Sequence, residues 1–272
     1  MWAMLPTPLL SLVASALLVN DVADKFRLVC QHWNKSVLFV HKLVFGKNPA
    51  NVAAAQGSLL GFLLSVVRTL VMPYRAPYTI YASIIDLVAP GLRHLEFGPA
   101  CFGCVDLMLT RLESLRCAGS SVCADTLPYT LTRLSLTCDA AYFLRGCPTR
   151  LFEQVKRLDV LEVPDWQCPH NVLKHVTKFT NLQAFTLVLV FHISFDAPVL
   201  TEDQCTTLDL LAAILLYVKS VVIEFVCEDY ECWNRDRKKT VTYTYKAGDK
   251  AKDLETASFS LYQVLAPLLR PG

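Results

Sequence analysis

The chain is poor in charge and in glycine. Lys, Arg, Asp and Glu make up 18% of its 272 residues and leave a net charge of only +2. So small a balance argues against partners recognised by bulk charge, and neither nucleic acid nor a membrane surface is expected. The chain has ten glycines, and none forms a Gly-rich loop of the kind that cradles phosphates. No apolar run reaches the roughly eighteen residues that a membrane span requires. The best stretch, Leu208 to Val226, is interrupted by Asp209, Lys219 and Glu224, and it divides into a helix-like and a strand-like half. No Ser- or Cys-nucleophile signature stands out. No catalytic residue is assigned, no cofactor is implied, and the chain reads as a non-enzyme.

Metal chemistry has little support. Cys101 and Cys104 have ligand spacing, but no second Cys-x-x-Cys pair follows them. Cys227 and Cys232 lack a local His partner, whereas a structural zinc site needs about four ligands. The histidines (His32, His41, His94, His170, His175 and His192) are dispersed, and His192 sits in an apolar strand-like run. No metal site is expected. Eleven cysteines, an odd and unframed set, read as reduced thiols of a cytoplasmic or nuclear protein. A competing reading takes Leu9 to Val19 as the apolar run of a signal peptide, which would make this a secreted or membrane-associated repeat protein. No Lys or Arg precedes that run.

What is present is apolar: 53% of the residues, enough for a large core. One short pattern recurs, apolar-x-x-apolar-x-apolar. It runs through Val40, Leu43, Phe45; Val67, Leu70, Met72; Leu92, Leu95, Phe97; and Leu112, Leu115, Cys117. It continues through Leu131, Leu134, Leu136; Val155, Leu158, Val160; Leu182, Phe185, Leu187; and Val218, Val221, Ile223. The starts are 27, 25, 20, 19, 24, 27 and 36 residues apart, mostly in or near the leucine-rich-repeat range. Arg or Lys often follows the first apolar residue. Helical periodicity fills several intervals. Thr201 and Gln204 form a capping box ahead of Leu208, Leu211 and Leu215. Asn171 precedes Val172, Leu173, Val176 and Phe179, and Leu59, Leu60, Leu63 and Val66 precede the second strand. One strand-plus-helix unit cannot bury its own apolar face, whereas a stack of them can. The Asn or Cys ladder of a regular repeat is almost absent, with Asp139 the nearest substitute, so the expected solenoid is irregular. An ordinary α/β domain with short parallel strands is the alternative.

The C-terminal part changes character. Cys227 to Lys239 is polar and charged and reads as a loop. Thr240 to Tyr245 alternates strictly, placing Val241, Tyr243 and Tyr245 on one face of a half-exposed strand. Leu254, Ala257, Leu261, Val264, Leu265 and Leu268 suggest a closing helix, perturbed at Pro267. Together these would cap the open end of the solenoid.

The N-terminal residues carry a more specific signal. Thr7 can cap a helix with Pro8 at its first position, and Asn20 can cap a second with Asp21 in its first turn. Leu9, Leu10, Val13 and Leu17 form one stripe; Val22, Phe26, Val29, Cys30 and Trp33 form another. The Leu5-Pro6 pair, Leu9-Leu10, Val13, Leu17, Asp21, Phe26, Val29-Cys30 and Trp33 together resemble the F-box, the adaptor motif of SCF ubiquitin ligases. The match runs without a gap from Leu5 to Trp33. It departs from the family at Pro8, where an acidic residue usually follows the Leu-Pro pair, and at Ala16, a site that is often bulkier. The resemblance implies a substrate adaptor that binds the SCF linker subunit and cullin scaffold. Leu5, Pro6, Leu9, Leu10, Val13, Val29, Cys30 and Trp33 are the implied linker-binding residues.

The expected architecture is therefore α/β. A helical F-box module (1–38) is followed by an irregular leucine-rich-repeat-like solenoid of parallel strands and helices (39–226), then a C-terminal loop, strand and capping helix (227–272). In leucine-rich repeats the residues between the buried strand positions line the concave face. Here these include His94, Glu96, Arg116, Arg133, Arg157 and Asp159, an expected surface for a protein target. Arginine forks suit carboxylates and phosphates, so an acidic or phosphorylated target segment is expected; ordinary solvated charges are the alternative.

Overall fold

The computed structural model describes residues 42–44, 67–72, 85, 89, 91–97, 107, 111–164, 169–193, 200–229, 238–246 and 254–266. The chain divides into two compact units, Met1–Leu131 and Thr132–Gly272. The F-box-like stretch, the segment from Leu59 to Val66, and Cys101 and Cys104 lie outside the described residues.

Each recurrence of the apolar pattern from Val67 onward is a strand or the approach to one. In the first unit the strands are β1 (Lys42–Val44), β2 (Thr69–Val71), β3 (His94–Glu96) and β4 (Ser114–Cys117). They pair in chain order, β1 with β2, β2 with β3 and β3 with β4, all parallel. The register aligns like with like: Leu43 with Leu70, Leu70 with Leu95, and Leu95 with Leu115. Two short 3-10 turns, Gly119–Ser121 and Ala124–Thr126, follow β4.

The second unit repeats the scheme, with longer strands from β6 onward: β5 (Arg133–Leu136), β6 (Arg157–Pro164), β7 (Ala184–Ile193), β8 (Ser220–Asp229) and β9 (Lys238–Lys246). Pairing is again in chain order, parallel from β5 to β8, with β9 antiparallel to β8. Leu134, Leu158, Phe185, Val221 and Tyr245 occupy one register row, and all are buried. Leu136, Val160, Leu187 and Ile223 form the next buried row. A register shift between Val160 and Val163 adds one residue to β6. That extra residue returns Val163 to the buried side, opposite Leu189, as a bulge does by inserting a residue into a period of two.

A backbone relay accompanies the repeat. The Arg68 carbonyl accepts from the Arg93 and His94 N–H groups at 2.9 and 2.8 Å, and the Arg93 carbonyl accepts from Glu113 and Ser114 at 2.8 and 3.0 Å. In the second unit Thr132 accepts from Lys156 and Arg157 at 2.8 and 3.1 Å, and Lys156 accepts from Gln183 and Ala184 at 2.8 and 3.1 Å. The acceptor always stands one residue after the first apolar position. Its polar side chain stays at the surface while its carbonyl satisfies the entry to the next strand.

Helices fill the longer intervals of the second unit. They are α1 (Ala140–Arg145), α2 (Thr149–Gln154), α3 (Pro169–Val176), α4 (Glu202–Leu215) and α5 (Leu254–Leu265). α1 packs on α3, α3 on α4, and α4 on α5. Their apolar faces are buried, including Leu151, Val172, Leu173, Leu208, Leu211, Ala257 and Leu261. Phe152 and Phe179 meet edge to face at 4.9 Å. The capping box on α4 is complete: Gln204 N–H donates to Thr201 Oγ1 at 3.3 Å, and Thr201 N–H donates to Gln204 Oε1 at 3.0 Å.

Two local readings change, and one backbone feature is added. α3 starts at Pro169, so Asn171 lies inside the helix rather than before it. Proline is favoured in a first turn, where its missing N–H has no intrahelical partner. β8 extends through Cys227 to Asp229, and β9 already includes Lys238 and Lys239. The polar stretch is therefore shorter, because its ends pair across the sheet, Cys227 with Lys239 and Glu228 with Lys238. Asp139 takes a left-handed conformation, φ 52°, at the entry to α1. A short polar side chain tolerates that geometry better than most.

The strands of the second unit have unequal faces. Leu134, Leu158, Phe185 and Val221 are sealed. Their alternates Ser135, Asp159, Thr186 and Val222 remain half-buried, as do Val188 and Glu224. The alternate residues thus form a half-open face, which closes at the register pair Val190 and Val226, both buried. β9 continues the alternation, with Tyr245 buried and Thr240, Thr242 and Thr244 exposed. Among the described residues no helix is long and apolar enough to cross a membrane.

Candidate functional site

The residues expected to face a target fall into two groups, one in each unit. In the first unit His94 and Glu96 lie on β3 and Arg116 on β4. His94 is in register with Thr69 on one side and Ser114 on the other. Glu96 is the register partner of Arg116, and their side chains form an ion pair at 3.5 Å. Arg93 and Glu113, at the entries to these strands, pair in the same way. Both pairs are substantially exposed, so each contributes at most about 1 kcal/mol. Their effect is to match the charges of Arg93 and Arg116 locally.

The second unit brings Arg133 and Arg157 together. They are register partners on β5 and β6, and both are exposed. Adjacent parallel strands run about 4.8 Å apart, so the two guanidinium groups rise from neighbouring points on one face. Asp159, two residues along β6, accepts from Arg157 Nε with both carboxylate oxygens, at 3.3 and 3.2 Å. Arg157 is thereby held by its Nε edge. Arg133 has no ion pair among the described residues.

Sequence reading passed over the neighbours of this corner. Ser135 is in register with Asp159, and Thr186 and Val222 continue that row across β7 and β8. The signal was available, since these residues hold the same place between buried positions as Asp159, but they carry no charge to draw notice. Glu224, half-buried on β8, was missed for another reason: it lies one residue beyond the last apolar position of the short pattern, in a strand that runs longer than the pattern predicts.

Among the other described residues the titratable groups do not converge on chemistry. Burial, the contact with Cys205 and the nearby Asp209 push the Tyr262 phenol up to about 12. Burial, with the charges of Lys178 and Arg145, lowers the His175 pKa below its ordinary 6.5. His170 Nδ1 lies 3.7 Å from the Asp203 carboxylate, a contact that is ionic only when the imidazole is protonated. Among the described residues no group of three His, Cys, Asp or Glu side chains is placed to hold a metal ion. The linker-binding candidates Leu5, Pro6, Leu9, Leu10, Val13, Val29, Cys30 and Trp33 lie outside the described residues.

No protein-family model matches the sequence, and a search of curated proteins finds no match.

Proposed function

We propose that this chain is a substrate-recruiting subunit of an SCF-type ubiquitin ligase. The observation that carries the reading is the ungapped F-box-like series from Leu5 to Trp33. The architecture that follows it supports a recruiting role. Parallel strands pair in chain order within each unit, with sealed positions repeating in register. We read this as an irregular leucine-rich-repeat-like solenoid. Such a fold builds an extended face from consecutive units, suited to holding a protein target.

In this reading the chain performs no bond chemistry. The N-terminal module tethers it to the linker subunit and, through that, to the cullin scaffold. The strand face holds the target, and ubiquitin transfer gains from effective concentration rather than from a catalytic group on this chain. It works in the cytoplasm or nucleus. Affinity purification of the full chain from cells, with identification of co-purifying proteins, tests the proposal. Recovery of a linker subunit and a cullin is expected, and their consistent absence would overturn it.

A further inference from the structure

The corner formed by β5 and β6 has an arrangement that ion pairing alone does not explain. We propose that Arg133, Arg157 and Ser135 form an oxyanion-binding site for an acidic or phosphorylated side chain of a protein segment, with Asp159 as the residue that orients Arg157. This deepens the recruiting role, since it assigns a chemical class to the target.

Arg157 spends its Nε–H on Asp159 and makes no hydrogen bond through its terminal nitrogens among the described residues. Arg133 engages none of its five donors there, and the half-buried Ser135 hydroxyl is likewise unengaged. Arg133 and Arg157 are register partners, and Ser135 is the register partner of Asp159. Side chains two residues apart on a strand share a face. Uncommitted N–H and O–H groups therefore gather on one patch, next to two like charges with one counter-charge between them. An incoming carboxylate or phosphoryl group supplies the missing charge and accepts from the forks in bidentate fashion.

The surroundings favour a protein segment over nucleic acid. From the corner the open face continues through Thr186 and Val222, with Val188 and Glu224 in the row beyond. Short polar and β-branched side chains suit an extended peptide. Asp159 and Glu224 would repel a polyphosphate backbone, whose binding depends on neutralising successive phosphates. Among the described residues of the first unit the corresponding arginine, Arg116, is already matched by Glu96.

The test is a titration of the full-length chain at low ionic strength. The probes are three fluorescent peptides of alternating Thr and Val that differ only at the centre: phosphoserine, glutamate or serine. The first two should bind saturably and the serine peptide about tenfold more weakly, as expected when a charge-assisted bond is lost. Tighter binding of phosphoserine than glutamate identifies a phosphoryl source; equal binding identifies a carboxylate. Arg133→Glu and Arg157→Gln should each weaken the charged peptides while leaving the far-ultraviolet circular dichroism unchanged. Asp159→Asn decides between a built site and a diffuse patch. It removes a negative charge, so a diffuse patch would bind the anion more tightly. A built site loses the orientation of Arg157 and binds more weakly. Tighter binding by Asp159→Asn, unchanged binding by Arg133→Glu, or equal binding of all three peptides at millimolar concentration would overturn the proposal. The linker subunit takes no part, so a negative titration leaves the N-terminal adaptor reading standing, and failure to bind the linker leaves this site standing.

Discussion

Leu158→Ala should be among the most damaging single substitutions in the second unit. Leu158 is fully buried on β6 and stands in register between Leu134 and Phe185, which are also buried. Alanine removes three buried carbons, and at about 0.8 kcal/mol each the transfer cost is about 2.4 kcal/mol. The flanking strands are tied by backbone bonds in which Lys156 N–H donates to the Thr132 carbonyl and Gln183 N–H to the Lys156 carbonyl, so the row cannot close over the cavity. The residual cavity raises the cost to about 3–4 kcal/mol, inside the range found for buried Leu→Ala changes. For a unit of this size that corresponds to a fall in melting temperature of about 6–16 °C. Urea titration followed by circular dichroism measures it, with Thr186→Ala on the open face as the control. Thr186 is half-buried, and its substitution should cost less than about 1 kcal/mol. Because repeat stability is carried by neighbouring units, amide exchange in Leu158→Ala should rise across β5, β6 and β7. A loss below about 1 kcal/mol for Leu158→Ala, or a larger loss for Thr186→Ala, would refute the stacked-row account.

Three further outcomes are expected. Thr201→Ala breaks the reciprocal cap on α4 and should cost about 1 kcal/mol; a cycle with Gln204→Ala should show the two losses to be less than additive, measurable by chemical denaturation. Asp139→Val should destabilise by about 1–2 kcal/mol more than Asp139→Gly, because the left-handed backbone at φ 52° penalises a β-branched side chain but not glycine, a difference measurable by chemical denaturation. The His175 pKa is lowered, first by burial and then by Lys178 and Arg145. The folded state therefore binds its proton less readily than the unfolded chain. Its contribution is present above pH 6.5 and is lost as pH falls through the lower folded pKa. His175→Asn should flatten that acid limb in a stability profile, and an unchanged limb would exclude the group.

Much of the strand register was legible because burial here follows a short local pattern. Leu70, Leu95, Leu115, Leu134, Leu158, Phe185 and Val221 all hold the same middle position, and all are buried. The capping box at Thr201 and Gln204 was equally local, as was the alternation of Val241, Tyr243 and Tyr245. What escaped depends on partners distant in sequence. The extension of β8 through Cys227 to Asp229 exists because Lys238 and Lys239 return to pair with it, and no periodicity inside a polar stretch reports that. The bulge in β6 is visible only once β7 sets the register opposite Val160 and Val163. For the surface, the three arginines were found from their repeat position, but their inequality was not. Glu96 occupies Arg116, and Asp159 takes one edge of Arg157. Arg133 is left as the cation without an ion pair among those three, a distinction set by neighbouring charges.

The central claim is that the series from Leu5 to Trp33 docks an SCF linker subunit. Size-exclusion chromatography of the full-length chain mixed with purified linker subunit tests it most directly. The account predicts co-elution as a one-to-one complex, and its loss in Trp33→Ala, because an aromatic anchor seated in an interface contributes at least about 2 kcal/mol. Separate elution of the two wild-type proteins, or a complex that survives Trp33→Ala unchanged, would contradict it.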